Sequence, residues 1–329
     1  METENKKTLL ITGATGFIGS HLVPELIKNY EVVAIVPSSD VGMRALPKKV
    51  QIEYASLDDF DKIGAILKKI EPNIIVHLAA ITPVRYSFEE PEIYQKINYL
   101  ATINLVEKSL KLSNLEKFIF ASTMEVYGWQ PEKKPFVENL PLYPDSPYAV
   151  SKLAGEKYIR MISTAFGFPA IILRPCNTFG RKNETGYLVE YLITEMLKGK
   201  NPWIGTPEAV RDLMYVTDHV RAYLKALEFK LPSQKEIKKI LEKDPIAFTF
   251  NIGNGYQFTV KQIAEKIKEM LGFKGEIKIG FPPDYPWRPS VASYLSLNSS
   301  KAKKILNWQP QVSLKEGLKK TIEYWKENL

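Results

Sequence analysis

A doubly wound, parallel α/β sheet with a smaller second lobe is the fold this sequence predicts, on three observations. Short apolar runs alternate with helical patterns through the first half of the chain. Those runs are apolar along their whole length, as in strands buried on both faces of a parallel sheet. A glycine-rich turn joins the first run to the first helical pattern.

Taken in order, 8–12 (TLLIT) is the first strand, and a helix follows over 16–28. Strands are expected at 31–36 (EVVAIV), 74–78 (IIVHL), 117–121 (KFIFA) and 170–173 (AIIL), with helices at 61–69, 93–112 and 148–166 between them. Beyond Arg174 the rhythm changes. Helices are expected over 186–198 and 218–228, and the strongly polar 230–243 reads as a surface helical insertion. A returning strand at 248–252 and an amphipathic helix at 260–271 follow. The Pro-rich 281–289 (FPPDYPWRP) is irregular because each proline removes a backbone donor. Helices at 299–306 and 314–326 close the chain. The predicted division is 1–175, with 212–255 returning to it, against 176–211 and 256–329. The second lobe is expected against the carboxyl edge of the sheet, where open α/β sheets bind ligands.

Composition narrows the function classes. Of 329 residues, 45% are hydrophobic and 25% charged, an ordinary balance for a soluble globular protein. The net charge of +8 comes from 45 basic against 37 acidic residues spread over many helices. No stretch resembles a basic reading helix or an aromatic RNA-binding strand, so a nucleic-acid partner is set aside. The positive field suits anionic small molecules, nucleotides included. Cys176 is the single cysteine, so no intramolecular disulfide can form. The charged start through Glu2, Glu4, Lys6 and Lys7 lacks a signal peptide's apolar region. No apolar run approaches the roughly 20 residues that cross a bilayer. A cytoplasmic protein with no membrane partner and no metal site is expected.

The turn Thr12-Gly13-Ala14-Thr15-Gly16-Phe17-Ile18-Gly19 carries the first chemical signal. A tight turn, close approach to a pyrophosphate and close helix–strand packing each call for a glycine, and the helix start provides backbone amides. Gly13, Thr15, Gly16, Phe17, Ile18 and Gly19 are therefore the expected dinucleotide cradle. At the second strand's tip an acidic residue would select NAD and an arginine NADP. The sequence there is Val36-Pro37-Ser38-Ser39-Asp40, with Arg44 beyond. NAD and NADP both stay open, with a lean to NADP read by Ser38, Ser39 and Arg44.

In Pro144-Asp145-Ser146-Pro147-Tyr148-Ala149-Val150-Ser151-Lys152, Ser146 suits a helix cap and Pro147 the first helical position. Tyr148 and Lys152, four apart, then share a helix face. A phenol titrates near ~10, and a neighbouring ammonium brings it toward working pH. Tyr148 is the expected proton-transfer residue, with Lys152 tuning it and holding the cofactor ribose. At the end of another strand stands Ala121-Ser122-Thr123-Met124-Glu125-Val126-Tyr127-Gly128. There Thr123 is placed to bond the reacting oxygen and Glu125 to act as a second acid/base.

Loop, hydroxyl and Tyr–Lys pair, in this order, resemble the extended short-chain dehydrogenase/reductase family, specifically its nucleotide-sugar epimerases and dehydratases. The resemblance covers nearly the whole chain and implies a Rossmann sheet. Further matches are His77-Leu78-Ala79-Ala80 beside the cofactor and Asn98, a structural and proton-relay position in the family. Arg174-Pro175-Cys176-Asn177-Thr178-Phe179-Gly180 looks like a segment that meets cofactor and sugar diphosphate. Arg211 in Arg211-Asp212-Leu213-Met214-Tyr215-Val216-Thr217-Asp218, and Arg288 in Trp287-Arg288-Pro289-Ser290, resemble diphosphate-facing arginines. Asn307-Trp308-Gln309-Pro310 resembles a closing packing motif. The resemblance thus implies cofactor contacts at Ser56, Leu57, Leu78, Ala79 and Ala80, and substrate contacts at Ser87, Thr123, Asn177, Arg211 and Arg288.

Departures mark the chain's own character. Ser56 stands where relatives often carry an adenine-binding Asp, which shifts that role to backbone or Asp58. Arg181 replaces the usual proline after Gly180, and Met124 replaces the middle acid of many sugar 4,6-dehydratases. Thr123 with Glu125 retains a dehydratase base, so a 4,6-dehydratase is favoured slightly over a UDP-sugar 4-epimerase. An NADPH-dependent 4-keto-6-deoxy-sugar reductase would have no need of Glu125. A non-catalytic dinucleotide sensor would have little reason to keep Thr123, Tyr148 and Lys152 together. The expected partner is a nucleoside diphosphate sugar. Apolar stripes on 93–112 and 148–166 predict a homodimer through a four-helix contact.

Overall fold

The computed structural model describes residues 6–38, 46–282 and 292–329. Ser39, Arg44 and Arg288 lie outside the described residues. The chain forms two compact units, one of 1–126, 146–174 and 223–250, and another of 127–145, 175–222 and 251–329.

The first unit is built on β1 (Thr8–Thr12), β2 (Glu31–Val36), β3 (Gln51–Tyr54), β4 (Ile74–His77), β5 (Lys117–Ala121) and β6 (Ala170–Pro175). With β11 (Thr249–Ile252) they form a seven-stranded sheet in the order β3-β2-β1-β4-β5-β6-β11. β1 to β6 pair in parallel. The order reverses between β1 and β4, and Thr12 pairs with His77 at that switch point. Such points are where doubly wound sheets bind ligands. The unit's helices are α1 (Phe17–Leu26), α2 (Phe60–Ile70), α3 (Pro91–Tyr94), α4 (Ala101–Ser109) and α5 (Pro147–Phe166). Ile63, Ile66 and Leu67 of α2, Leu105 and Val106 of α4, and Ile159 and Ile162 of α5 join Leu10, Ile75, Phe118 and Phe120 in one core.

Where one helix was expected over 93–112, the chain runs as α3, a π-helical stretch Gln95–Leu100, then α4. β3 was not anticipated: it is an edge strand whose QIEY mixes polar and apolar residues and is only partly buried.

In the second unit the chain forms α6 (Leu188–Leu197), α9 (Val260–Leu271), α10 (Ser300–Leu306) and α11 (Leu314–Asn328). Its strands are short: β7 (Asn177–Phe179), β8 (Trp203–Ile204), β9 (Val210–Arg211), β10 (Leu213–Tyr215), β12 (Phe258–Thr259), β13 (Lys278–Ile279) and β14 (Tyr294–Leu295). α6, α9 and α11 enclose a separate core containing Leu192, Ile193, Ile263, Ile267, Leu318 and Trp325. Trp308 is buried and its indole N–H donates to the Asp218 carbonyl at 3.0 Å, so the 307–310 segment is a packing motif as expected. α7 (Val216–Glu228) carries the chain back to the first unit. There α8 (Gln234–Lys243) packs on α5, and Ile237 and Leu241 cluster with Phe248. Among the described residues no helix is long and apolar enough to cross a membrane.

Candidate active site

The glycine turn sits at the switch point. Gly13 has φ +75°, and a Cβ there would lie 2.7 Å from the Ala79 amide nitrogen, so the turn rests directly on the backbone after β4. A Cβ at Gly19 would fall 2.1 Å from the Gly13 carbonyl oxygen, so α1 can seat on the turn only through glycine. Gly16 caps α1 without a side-chain acceptor, and no acidic residue stands in the first turn. A helix start of this kind suits an anionic pyrophosphate. Thr15, Phe17 and Ile18 are half-buried around it, as are Leu78, Ala79 and Ala80. Ser38 is exposed just beyond β2. Ser56 is exposed and half-buried Leu57 follows it. The Ser56 hydroxyl donates to Asp58, whose carboxylate pairs with Lys96 at 2.7 Å. Lys96 holds the Asp58 carboxyl below its usual range.

Beneath the turn runs a buried hydrogen-bond chain that sequence reading did not anticipate. The Thr102 hydroxyl donates its proton to the Asn98 carbonyl at 2.7 Å, so its oxygen accepts from His77 Nε2 at 2.8 Å. His77 Nδ1 is then the acceptor, receiving the Thr12 hydroxyl proton at 2.7 Å. The Thr12 oxygen in turn accepts the Ala79 N–H at 3.3 Å. One tautomer of His77 satisfies every group. Burial, reinforced by the Lys152 charge, pulls the imidazole down to about 3, so it stays neutral. Asn98, fully buried in the π-helical stretch, bonds both backbone groups of Ile81 and reaches Ser151 at 3.1 Å. Ser151 closes the link by donating to the Tyr148 carbonyl at 2.7 Å. π-helical turns recur at functional sites because the extra residue redirects a side chain.

α5 starts as the sequence predicts: Ser146 accepts the Ala149 N–H and Pro147 takes the first turn. Tyr148 and Lys152 follow one turn apart, both buried, and the Tyr94 ring meets that of Tyr148 edge-on at 6.4 Å. Lys152 Nζ lies 4.2 Å above the centre of the Phe120 ring. Burial lowers the Lys152 ammonium to about 7, against the opposing charge of Glu156. An amine titrating there exchanges protons at working pH. At the carboxyl end of β5, the Thr123 hydroxyl oxygen accepts the Glu125 N–H at 3.2 Å. Thr123 and Glu125 are each 8% exposed, whereas Met124 is packed away at 1%. The β5 end and α5 meet through Ser122, which donates to Glu156 at 2.9 Å.

The remaining expected residues are placed as follows. Ser87 is fully buried and its hydroxyl donates to the Val84 carbonyl at 2.6 Å. Asn177 is exposed on β7. Arg211 is half-buried, its Nη1 donating to the carbonyls of Val210 and Ala292 at 2.8 and 2.9 Å. Its neighbour Asp212 is structural, accepting N–H groups of Gly255, Tyr256 and Leu297. Arg174 serves the fold, since it is fully buried against Glu156.

The glycine turn at the switch point, the Tyr148–Lys152 helix start and the Thr123/Glu125 strand end belong to one compact unit. The family model for GDP-mannose 4,6 dehydratase matches residues 10–321. The chain belongs to the extended short-chain dehydrogenase/reductase family of nucleotide-sugar epimerases and dehydratases. Among curated proteins it is 35% identical to a putative UDP-glucose 4-epimerase of Methanocaldococcus jannaschii, covering 97% of this chain and 99% of that protein. dTDP-glucose 4,6-dehydratases are also among the relatives. The crystal structure of a Thermotoga maritima UDP-glucose 4-epimerase with UDP-glucose is similar at TM-score 0.86 and 33% identity, covering 98% of this chain and 99% of that one. A Thermus thermophilus UDP-glucose 4-epimerase complexed with NAD gives 0.84 and 28%, covering 98% and 100%.

Proposed function

We propose that this chain oxidises C4 of a nucleoside diphosphate sugar and carries the reaction on as a 4,6-dehydratase. The observation that carries this reading is Glu125, a buried carboxylate two residues beyond Thr123, in the same compact unit as Tyr148 and Lys152. NAD is the proposed cofactor. The Thermus relative holds NAD, and of the residues behind the NADP lean only Ser38 is described, exposed beyond β2. The glycine turn, the α1 start and Leu78 to Ala80 would hold it, and when bound it supplies a reversible hydride acceptor.

Tyr148 takes the C4 hydroxyl proton, and a Lys152 ammonium, one turn along, favours the phenolate that accepts it. Thr123 bonds the reacting oxygen, steadying charge as the ketone forms. The ketone acidifies C5–H; Glu125 removes that proton and returns it to the departing C6 hydroxyl as water. We assign the second unit as the nucleotide-sugar lobe, with Asn177, Arg211 and Arg288 as diphosphate ligands, since guanidinium groups pair bidentately with phosphate.

A second reading, the 4-epimerase, rests on the 35% identity to the Methanocaldococcus protein. Incubating the protein and Glu125→Gln with UDP-, dTDP- and GDP-sugars, with products read by NMR, separates the two. The dehydratase reading expects a 4-keto-6-deoxy product that Glu125→Gln forms at least roughly 100-fold more slowly. Interconversion of C4 epimers at equal rates by both proteins would establish the epimerase instead. The proposed assembly is a homodimer. Val150 and Met161, eleven residues apart on one face of α5, are 43% and 49% exposed, and Ile93 and Leu100 are 45% exposed. Light scattering would test it; a monomer at micromolar concentration would refute it.

A further inference from the structure

Tyr148, Lys152, Glu156 and Arg160 follow one another at four-residue spacing along α5, so they form a single stripe. The first two belong to the proton-transfer pair. Glu156 has no surface exposure, yet it is the meeting point of three elements. Its Oε2 accepts the Ser122 hydroxyl at 2.9 Å and Arg174 Nε at 3.0 Å. Its Oε1 accepts Arg174 Nη2 and lies 3.5 Å from Arg160 Nη1. Arg174 on β6 is likewise fully buried. A carboxylate at no exposure persists as an anion only when charged and hydrogen-bonding partners replace its water. Here they do, and Arg174 and Arg160 hold the Glu156 carboxyl below its ordinary range despite burial.

Ser122 directly precedes Thr123, so one carboxylate ties the strand end bearing Thr123 and Glu125 to the helix bearing Tyr148 and Lys152. We propose that Glu156 is a positioning residue, which fixes the Thr123–Glu125 strand end against the Tyr148–Lys152 face of α5. The inference rests on the catalytic reading above. Its geometry stands without substrate. Reacting groups displaced by about 1 Å lose on the order of 100-fold in rate, so a rigid link between two half-sites controls turnover more than affinity. Glu156 also opposes the burial that depresses Lys152. Besides the stripe's own Lys152 and Arg160, the charged and titratable groups set against it are Arg174 on β6, His77 on β4, Tyr94 on α3 and Tyr223 on α7.

Two variants test the role. Glu156→Gln removes the charge, and Ser122→Ala removes only the link to β5 while leaving the Glu156–Arg174 pair intact. Steady-state kinetics, the pH profile of kcat and amide hydrogen exchange at Glu125 and Val126, whose N–H groups bond Thr123, are measured on the full-length protein with NAD. The expected result for Ser122→Ala is a kcat lowered about 10-fold with KM within about 2-fold. Exchange at Glu125 and Val126 should be at least about 10-fold faster, with unchanged exchange in β1. Glu156→Gln, where it folds, is expected to lose more kcat and to shift the pH profile to lower pH as Lys152 loses its neighbouring charge. Ser122→Ala with unchanged kcat and unchanged exchange overturns the proposal whatever Glu156→Gln does. If the unaltered protein turns over no nucleotide sugar while Ser122→Ala still loosens Glu125 and Val126, the catalytic reading falls and the structural link stands.

Discussion

Replacing His77 by Asn should change how the protein responds to acid. His77 has 1% exposure and is held neutral by the Thr12 and Thr102 hydroxyls, with the imidazole pulled down to about 3 by burial and by Lys152. In the unfolded chain it titrates near ~6.5. The folded value lies below the unfolded one, so the stability from neutral His77 is complete above about pH 6.5. It is lost as pH falls from there toward 3, because the unfolded chain binds a proton that the folded chain refuses. At pH 5 the unfolded histidine lies about 1.5 units below its midpoint, and at 1.36 kcal/mol per unit this is about 2 kcal/mol. Urea unfolding at pH 7.5 and pH 5.0, on the unaltered protein and on His77→Asn, measures it. The substitution weakens the protein at both pH values by breaking the Thr12–His77–Thr102 chain. The quantity that matters is the difference in slope: the unaltered protein should lose about 2 kcal/mol more than the variant between the two pH values. Parallel pH dependences would refute the argument, since they would mean that His77 takes up a proton in the folded state.

Further predictions address the site itself. Tyr148→Phe should retain cofactor binding within about 3-fold by calorimetry and lower kcat by roughly 100- to 10,000-fold; a loss below 10-fold would remove Tyr148 from the proton-transfer role. Lys152→Met is expected to weaken NAD binding and also to abolish the neutral-range limb of the pH–rate profile, because the amine that titrates near 7 is gone. Gly13→Ala combines a φ of +75° with a Cβ 2.7 Å from the Ala79 nitrogen, so it should destabilise by at least about 1–2 kcal/mol and abolish NAD binding. Intact binding in a stable Gly13→Ala protein would contradict the cradle.

What could be read from sequence divides along physical lines. Strands β1, β2, β4, β5 and β6 are uniformly apolar because both faces are buried, so each was legible at once. β3 was not, because an edge strand has no such demand and the alternation of its QIEY spans only four residues. The strands of the second unit run two or three residues, too short to show one. The 230–243 segment reads as surface, yet Ile237 and Leu241 supply a buried stripe that fastens α8. At the candidate site, the glycine turn and the Ser146-capped Tyr148–Lys152 helix were visible because local backbone geometry dictates their residue types. The His77 chain and the Glu156 junction were not: their partners stand 65 and 25 residues from His77, and 34 and 18 from Glu156, and only strand register with the seating of α4 and α5 brings them together.

The central claim, oxidation at C4 followed by elimination under Glu125, is tested most directly by isotope. A nucleoside diphosphate glucose deuterated at C4 is incubated with the protein and NAD in ordinary water, and the product is read by NMR. The account predicts a 4-keto-6-deoxy sugar with the deuterium moved from C4 to C6. Deuterium retained at C4 of the opposite epimer would make the protein an epimerase, and substrate recovered unchanged from every nucleotide tried would contradict the claim of C4 oxidation.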